Sequence, residues 1–551
     1  MARYGPEARG GKLALLGELD GLRIASGAAL GRLHESLCFL LAHPDDARVL
    51  ARADAALRAL PERVAALSAR ERGRLDDTGI VGTTLTYPFG LPMARWLVER
   101  FPGEVDAAWE RVDGERLEEA LALLVARPEG DAFTEGGIGW RAWMEAARGG
   151  RPVSRLQVLV ELFDGSALPA EARDWVFESL ALPIRWTPRT FAGSRTGARR
   201  PWPRPFFHAE GLLRAGVDVA REAQEPLAGL RRAPRALALA LLEAARLAMA
   251  GRQRELYCFS YPNPDDVLVA DGGRGLRVAL FGLPPAARQP LEGYYAFLVD
   301  KNGVPVSYGG AWGLFGTLEI GFNVFESFRQ GESAFILSQV LRVYRHVTGL
   351  RSFSVDPYQL GLDNPEALRS GAFYFYYRQG FRPHDPATAA LVEREERIRA
   401  RRPSHRSSLA VLARLCRHHV YLTLAGGDPA PERRVRPAAV AALVSALVAR
   451  EFAGDRGAAV RALGERAARA LRVGRRPAWP AAERAAFQDL APVAALLPDL
   501  GRWPARDRRA LIALFRAKGG PSEAAYFRLL RRQPRLRDGL ARLIAAARSA
   551  P

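Results

Sequence analysis

The residues best placed for chemistry lie between Gly293 and Pro383. Over Thr317–Val324 apolar and polar residues alternate, which puts Leu318, Ile320, Phe322 and Val324 on one face of a strand and Thr317, Glu319, Gly321 and Asn323 on the other. Glu319 therefore leaves the core face and looks into a cleft. The residues Ser327-Phe328-Arg329-Gln330-Gly331-Glu332-Ser333-Ala334 then form a small turn leading straight into a helix whose apolar stripe is Leu337, Val340, Leu341, Tyr344 and Val347. Unpaired backbone N–H groups and the helix dipole both favour an anion at such a junction, and pyrophosphate is a natural occupant. Further on, Phe373-Tyr374-Phe375-Tyr376-Tyr377 covers every side of a helix, so some of these rings must be core. Cys416, His418 and His419 hold metal-binding atoms, but neighbours on a helix point about 100° apart and do not converge on one ion. No metal set is predicted. Asp76 and Asp77 lack further oxygen ligands at loop spacing and are read as helix caps.

These groups need a scaffold, and its joints are legible. Tyr294–Asp300 and Val304–Ala311 are β-rich and joined by Lys301-Asn302-Gly303, where Asn-Gly supplies the positive φ values of a tight hairpin turn. Arg351–Val355 reads as a short strand. Asn364-Pro365-Glu366 offers an N-cap, a proline at the first helical position and an acid in the first turn. Gly380 ends that helix, and Phe381 packs back on it.

This order of strand, loop, helix, strand and helix resembles the acyl-CoA-dependent N-acyltransferase superfamily, the GNAT fold, over about residues 255–385, roughly a quarter of the chain. In that family a strand leads into a pyrophosphate loop of the form Arg/Gln-x-x-Gly-x-Gly/Ala, and the second helix begins with Asn and ends in Tyr-x-x-x-Gly-Phe. Leu318–Val324, Arg329–Ala334, Asn364–Ala367 and Tyr376–Phe381 are similar to these parts in turn. The resemblance implies that Arg329, Gly331, Ser333 and Ala334 line the coenzyme A pyrophosphate. It places Asn364 near the pantetheine arm, with the strands flanking Val324 splayed apart to admit that arm. It also implies that Glu319 takes a proton, through water, from an attacking amine and that Tyr376 protonates the departing thiolate. Glu332 stands where the family favours Gly, so its carboxylate must turn away from a bound pyrophosphate. The interval from Ala367 to Tyr376 is longer than the family motif.

Composition frames the rest. A chain of 551 residues, 48% apolar and 25% charged, is too long for one core, and three or four folded domains are expected. The formal charge is +20, yet lysine occurs only at Lys12, Lys301 and Lys518, so the excess is arginine in an alanine-rich chain and reads as coding bias rather than a nucleic-acid face. There is no run of about 18 uncharged apolar residues and no secretory leader pattern, and Cys38, Cys258 and Cys416 are odd in number and far apart. A cytoplasmic protein without a membrane span is expected.

The fold class predicted is α+β: a central GNAT-like mixed sheet with helices on both faces, residues 254–386, between a mainly helical region, 1–253, and an all-α region, 387–551. Within the first lies a Pro- and Arg-rich connection, 183–205, whose Trp186, Arg195, Arg200 and Trp202 would serve an anionic ligand or partner unless the segment is a disordered linker. The last region reads as successive helices, among them Ser408–Leu422. Three functions remain open: transfer of an acyl group from acetyl-CoA or a longer acyl-CoA to a small-molecule or protein amine; a non-catalytic scaffold of the same fold joining helical protein-interaction domains; and an aminoacyl-tRNA-dependent transferase, which would give the arginine excess a purpose.

Overall fold

The computed structural model describes residues 2–134, 137–200, 204–428, 435–474 and 476–549. The chain forms two compact units, one of Met1–Leu212, Leu239–Tyr261 and Asp300–Val306, the other of Leu213–Ala238, Pro262–Val299 and Ser307–Pro551. The boundaries expected at 253/254 and 386/387 both fall inside a unit.

The first unit is mainly helical. Several of its helices start where short polar side chains accept a first-turn N–H, as Ser26 does from Ala29, Asp46 from Val49 and Ser154 from Gln157. A small antiparallel sheet, β1 (Leu85–Tyr87), β2 (Val105–Ala107) and β3 (Ile184–Trp186), runs in the order β1-β3-β2. β3 lies in the Pro- and Arg-rich connection, which is thus part of the fold where described. Trp186 is buried, Arg195 pairs with Glu35 and donates to the Thr78 carbonyl (2.9 Å), and the Arg200 N–H donates to the Gly303 carbonyl (2.8 Å). Trp202 lies outside the described residues. Asp76 and Asp77 cap no helix; they accept the Thr84 and Thr86 N–H groups (3.2 and 2.9 Å) and brace β1. The turn Lys301-Asn302-Gly303 has φ of 49° at Asn302 and 83° at Gly303, and the Asn302 amide donates to the Ala42 and Phe206 carbonyls.

One carboxylate in this unit makes its stability depend on pH. Burial pushes Glu255 from 4.5 up to about 7, against the hydrogen bond it accepts from the Gly90 N–H (2.9 Å), and the charge of Glu178 adds to the rise. The folded chain holds the proton over that window while the unfolded chain has lost it, so stability falls as pH rises through it. Glu255→Gln is expected to stabilise the protein by up to about 2 kcal/mol at about pH 8 and to change nothing near pH 4. Equal shifts in the thermal midpoint at both pH values would refute this.

The second unit holds, apart from the Asp300–Val306 ends of β7 and β8, a nine-stranded sheet: β4 (Arg231–Arg232), β5 (Val267–Gly273), β6 (Leu276–Phe281), β7 (Gly293–Lys301), β8 (Val304–Leu314), β9 (Thr317–Val324), β10 (Ser352–Val355), β11 (Arg382–Pro383) and β12 (Val420–Thr423). Their order is β11-β12-β10-β9-β8-β7-β6-β5-β4, with β9 and β10 parallel. A mixed sheet with flanking helices, as expected, is the architecture. The helix predicted over Ser408–Leu422 ends at Leu415; Val420–Thr423 instead pairs antiparallel with β10, a setting that suits the β-branched and aromatic residues there.

The Ser333–Thr348 helix covers the sheet face bearing Leu318, Ile320 and Phe322. Its Tyr344 hydroxyl donates to the Tyr295 carbonyl (2.6 Å), and the Phe297 ring packs against both Tyr344 and Phe322. Phe527, from the Glu523–Leu530 helix, sits where Cβ atoms at Gly293 and Gly313 would fall 2.6 and 2.2 Å from its ring. Only glycine allows that approach. The later helices build their own core from Phe487, Leu490, Leu511, Phe515 and Leu540, closed on Leu314 and Phe315. All three lysines are buried, Lys12 against Asp45 (2.6 Å) and Lys518 against Glu523 (3.1 Å), so the chain's exposed positive charge is arginine. Among the described residues no single helix is long and apolar enough to cross a membrane.

Candidate functional site

The site is organised by β9. Along one edge it pairs with β8 from Thr317 to Val324. Along the other it pairs with β10 over three residues only, Thr317, Leu318 and Glu319 against Ser352, Phe353 and Ser354. From Ile320 to Val324 that pairing is absent, because β10 ends at Val355 and the chain turns into the short Pro357–Leu360 helix. Five residues of strand edge are thus parted from their neighbour, and Val324 closes the stretch.

Tyr376 meets this parted edge. Asn364 caps the Pro365–Ser370 helix by accepting the Ala367 N–H (3.1 Å); Gly371, at φ 71°, ends it, and a second helix runs from Ala372 to Arg378. The continuous helix expected from Asn364 to Gly380 is therefore two, and the long interval before Tyr376 is taken up by the break at Gly371. Gly380 has φ 93°, the Phe381 N–H donates to the Tyr376 carbonyl (3.2 Å), and the two rings pack at 5.5 Å. The Tyr376 hydroxyl donates to the Phe322 carbonyl at 3.3 Å, and Phe375 stacks on Phe322. Burial holds the Tyr376 phenol well above its ordinary pKa, so it remains a proton donor across the neutral range. At 3.3 Å its hydrogen bond is longer than a good O–H···O bond, and a better acceptor would replace the carbonyl.

The loop after β9 turns tightly. Phe328 and Gly331 N–H groups donate to the Phe325 and Phe328 carbonyls (both 2.8 Å), so the Gly331 N–H is spent within the turn and is not directed at a ligand. Ser333 and Ala334 open the helix and stand in the first turn, whose N–H groups have no intrahelical acceptor. Arg329 is exposed. It donates to Glu366 (2.5 Å), two residues past Asn364, and so ties the loop to the opening of the second helix pair. An exposed pair of this kind is weak and gives way to a stronger anion.

Glu332 turns inward as the charge argument requires. Its side chain is fully buried, accepts the Leu213 N–H (2.9 Å) and pairs with Arg274 (2.7 Å) from the β5–β6 turn. The Glu332 charge is thereby neutralised within the fold.

Glu319 is half-buried on the opposite face. Its Oε2 lies 3.3 Å from His419 Nε2, which is 3.5 Å from Asp356 Oδ2. His419 precedes β12 and Asp356 follows β10, so residues of three adjacent strands converge. Sequence reasoning missed this: it placed His419 on a helix and gave Asp356 no role. His418 points elsewhere, to Asp385 and Thr388, and the Cys416 thiol donates to the Leu360 carbonyl (3.0 Å). Arg274 was missed too, along with strands β5 and β6, although Val267–Phe281 alternates around Gly272-Gly273-Arg274-Gly275 as a hairpin should.

No family model matches the chain, nor does any curated protein or solved structure. The functional reading rests on the geometry.

Proposed function

We propose that the second unit is a GNAT-like N-acyltransferase that moves an acyl group from acetyl-CoA or a longer acyl-CoA to an amine. The observation that carries the reading is the parting of β9 from β10 after Glu319, with the Tyr376 hydroxyl held on the parted stretch. Pantetheine is a chain of amides, and a strand edge without a partner strand offers it the backbone hydrogen bonds that a neighbouring strand would otherwise take, once the Tyr376 hydroxyl and the Arg329 guanidinium give up the Phe322 and Val324 carbonyls. The pyrophosphate then falls at the start of the Ser333–Thr348 helix, where Ser333 and Ala334 supply N–H groups and Arg329 leaves Glu366 to meet the added charge.

In this reading the amine attacks the thioester carbonyl directly. Glu319 accepts the proton shed by the ammonium through a water, and Tyr376 gives its proton to the thiolate as the C–S bond breaks. Glu319 is three positions from Phe322 along β9, a Cα spacing of about 10 Å, so in this reading the base and the acid act at different points along the same strand. Arg274 belongs to the machinery indirectly, because it keeps the Glu332 carboxylate turned from the phosphates.

Binding of coenzyme to the native state alone must stabilise it. Acetyl-CoA or free CoA at a hundredfold excess over its dissociation constant is expected to add about 2.7 kcal/mol, read as a rise in the thermal midpoint. If neither these nor longer acyl-CoAs move the midpoint, the scaffold reading replaces the enzyme. Salt-sensitive binding of tRNA instead of CoA would favour the aminoacyl-tRNA-dependent alternative.

A further inference from the structure

We infer that Glu319, Asp356 and His419 form a binding site for a divalent transition-metal ion of the zinc class. One ligand atom from each residue, a carboxylate oxygen or an imidazole nitrogen, lies within 4.8 Å of the other two. His419 Nε2 stands 3.3 Å from Glu319 Oε2 and 3.5 Å from Asp356 Oδ2. Both distances exceed the roughly 2.7–2.9 Å of a charge-assisted hydrogen bond, and a single N–H cannot aim at both oxygens. They match the edge of a tetrahedron: ligands bound at about 2.1 Å to zinc are about 3.4 Å apart.

The surroundings fit an ion as well. As ligands, two carboxylates and one imidazole offer a dication both charge and nitrogen coordination. Asp356 is oriented for the task, since its Oδ1 accepts the Tyr358 N–H (2.8 Å) and its Oδ2 faces His419. An independent sign comes from Ser354. It lies opposite Glu319 in the β9–β10 register and opposite Tyr421 in the β10–β12 register, so its side chain leaves the same sheet face as those of Glu319 and Asp356. Its hydroxyl is buried and has no hydrogen-bond partner, an arrangement that a water on the ion would satisfy. The donor set of one nitrogen and two oxygens suits zinc better than magnesium, which prefers oxygen alone. With the three residues as ligands, a tetrahedral ion keeps a fourth position for that water.

The inference does not depend on acyl transfer. Should both hold, Glu319 is a ligand and a hydroxide on the ion would take the proton from the amine, becoming water.

The test is calorimetric titration of Zn2+ into the metal-stripped full chain. One equivalent is expected to bind with a micromolar or tighter constant and to resist millimolar Mg2+. Asp356→Asn and His419→Gln are each expected to weaken binding roughly 100-fold or more. His418→Gln, which alters an imidazole facing Asp385, leaves it unchanged. No stoichiometric binding, equal displacement by Mg2+, or full affinity in either ligand variant would overturn the site. Co2+ titrated into the unaltered chain gives a readout that no variant's folding can disturb. A saturable visible absorption displaced by Zn2+ supports the site, and its absence overturns it.

Discussion

Tyr376→Phe and Glu319→Gln are each expected to lower the turnover of acyl transfer by about 10²–10⁴-fold while changing coenzyme affinity by less than about threefold. The first removes the hydroxyl that donates to the Phe322 carbonyl and leaves the ring, with its packing on Phe381, in place. Thiolate departure then lacks its proton. The second keeps the shape of the side chain on β9 but takes away the charge that draws the ammonium proton. Coenzyme release followed with a panel of amines separates the two effects. Turnover unchanged in Tyr376→Phe would assign that hydroxyl to packing, and a rise in KM for coenzyme without loss of kcat would assign Glu319 to binding.

Arg274→Ala should be the most damaging change outside the reacting groups. Glu332 is fully buried on the side-chain scale, and Arg274 supplies its counter-charge from a turn 58 residues earlier. Taking away one partner of a fully buried pair costs about 3–5 kcal/mol, and because Arg274 is itself partly exposed the cost here falls below that range, about 2–3 kcal/mol. The effect reaches the site as well. Released from its partner, the carboxylate lies at the start of the helix to which the phosphates are assigned under the proposed function, and coenzyme affinity is expected to fall roughly tenfold, about 1.4 kcal/mol. Arg274→Ala combined with Glu332→Gln should recover most of both losses. If the double variant is as weak as the single one, the guanidinium matters for packing of the β5–β6 turn and not for its charge.

What the sequence makes legible here are the local signals. Asn302-Gly303 forces a tight turn, Asn364 caps its helix, and Gly380 followed by Phe381 ends the next one; each depends on residues within a few positions and each is found in the structure. The alternation that sends Glu319 off the core face is of the same kind. Long-range pairing is not legible in this way. Val420–Thr423 is too short to stand out as a strand at the end of an apparently helical run, yet it pairs with β10 and β11, and that pairing is what carries His419 to Asp356 and Glu319. The Glu332 position shows the same limit. Its charge is visible in the sequence, while the arginine that neutralises it comes from a hairpin far upstream. Gly371 was a missed local signal: a lone glycine in an apparently helical run, it takes a left-handed conformation and splits the helix before Tyr376.

The most direct test of coenzyme binding along the parted edge is amide hydrogen exchange of the full chain with and without saturating CoA. Under the proposed function, exchange should slow at Ile320–Val324, where pantetheine would pair with the strand edge, and at the 329–335 loop and helix start, where pyrophosphate would bind. Unchanged exchange at both segments, or protection confined to other parts of the chain, would contradict the account.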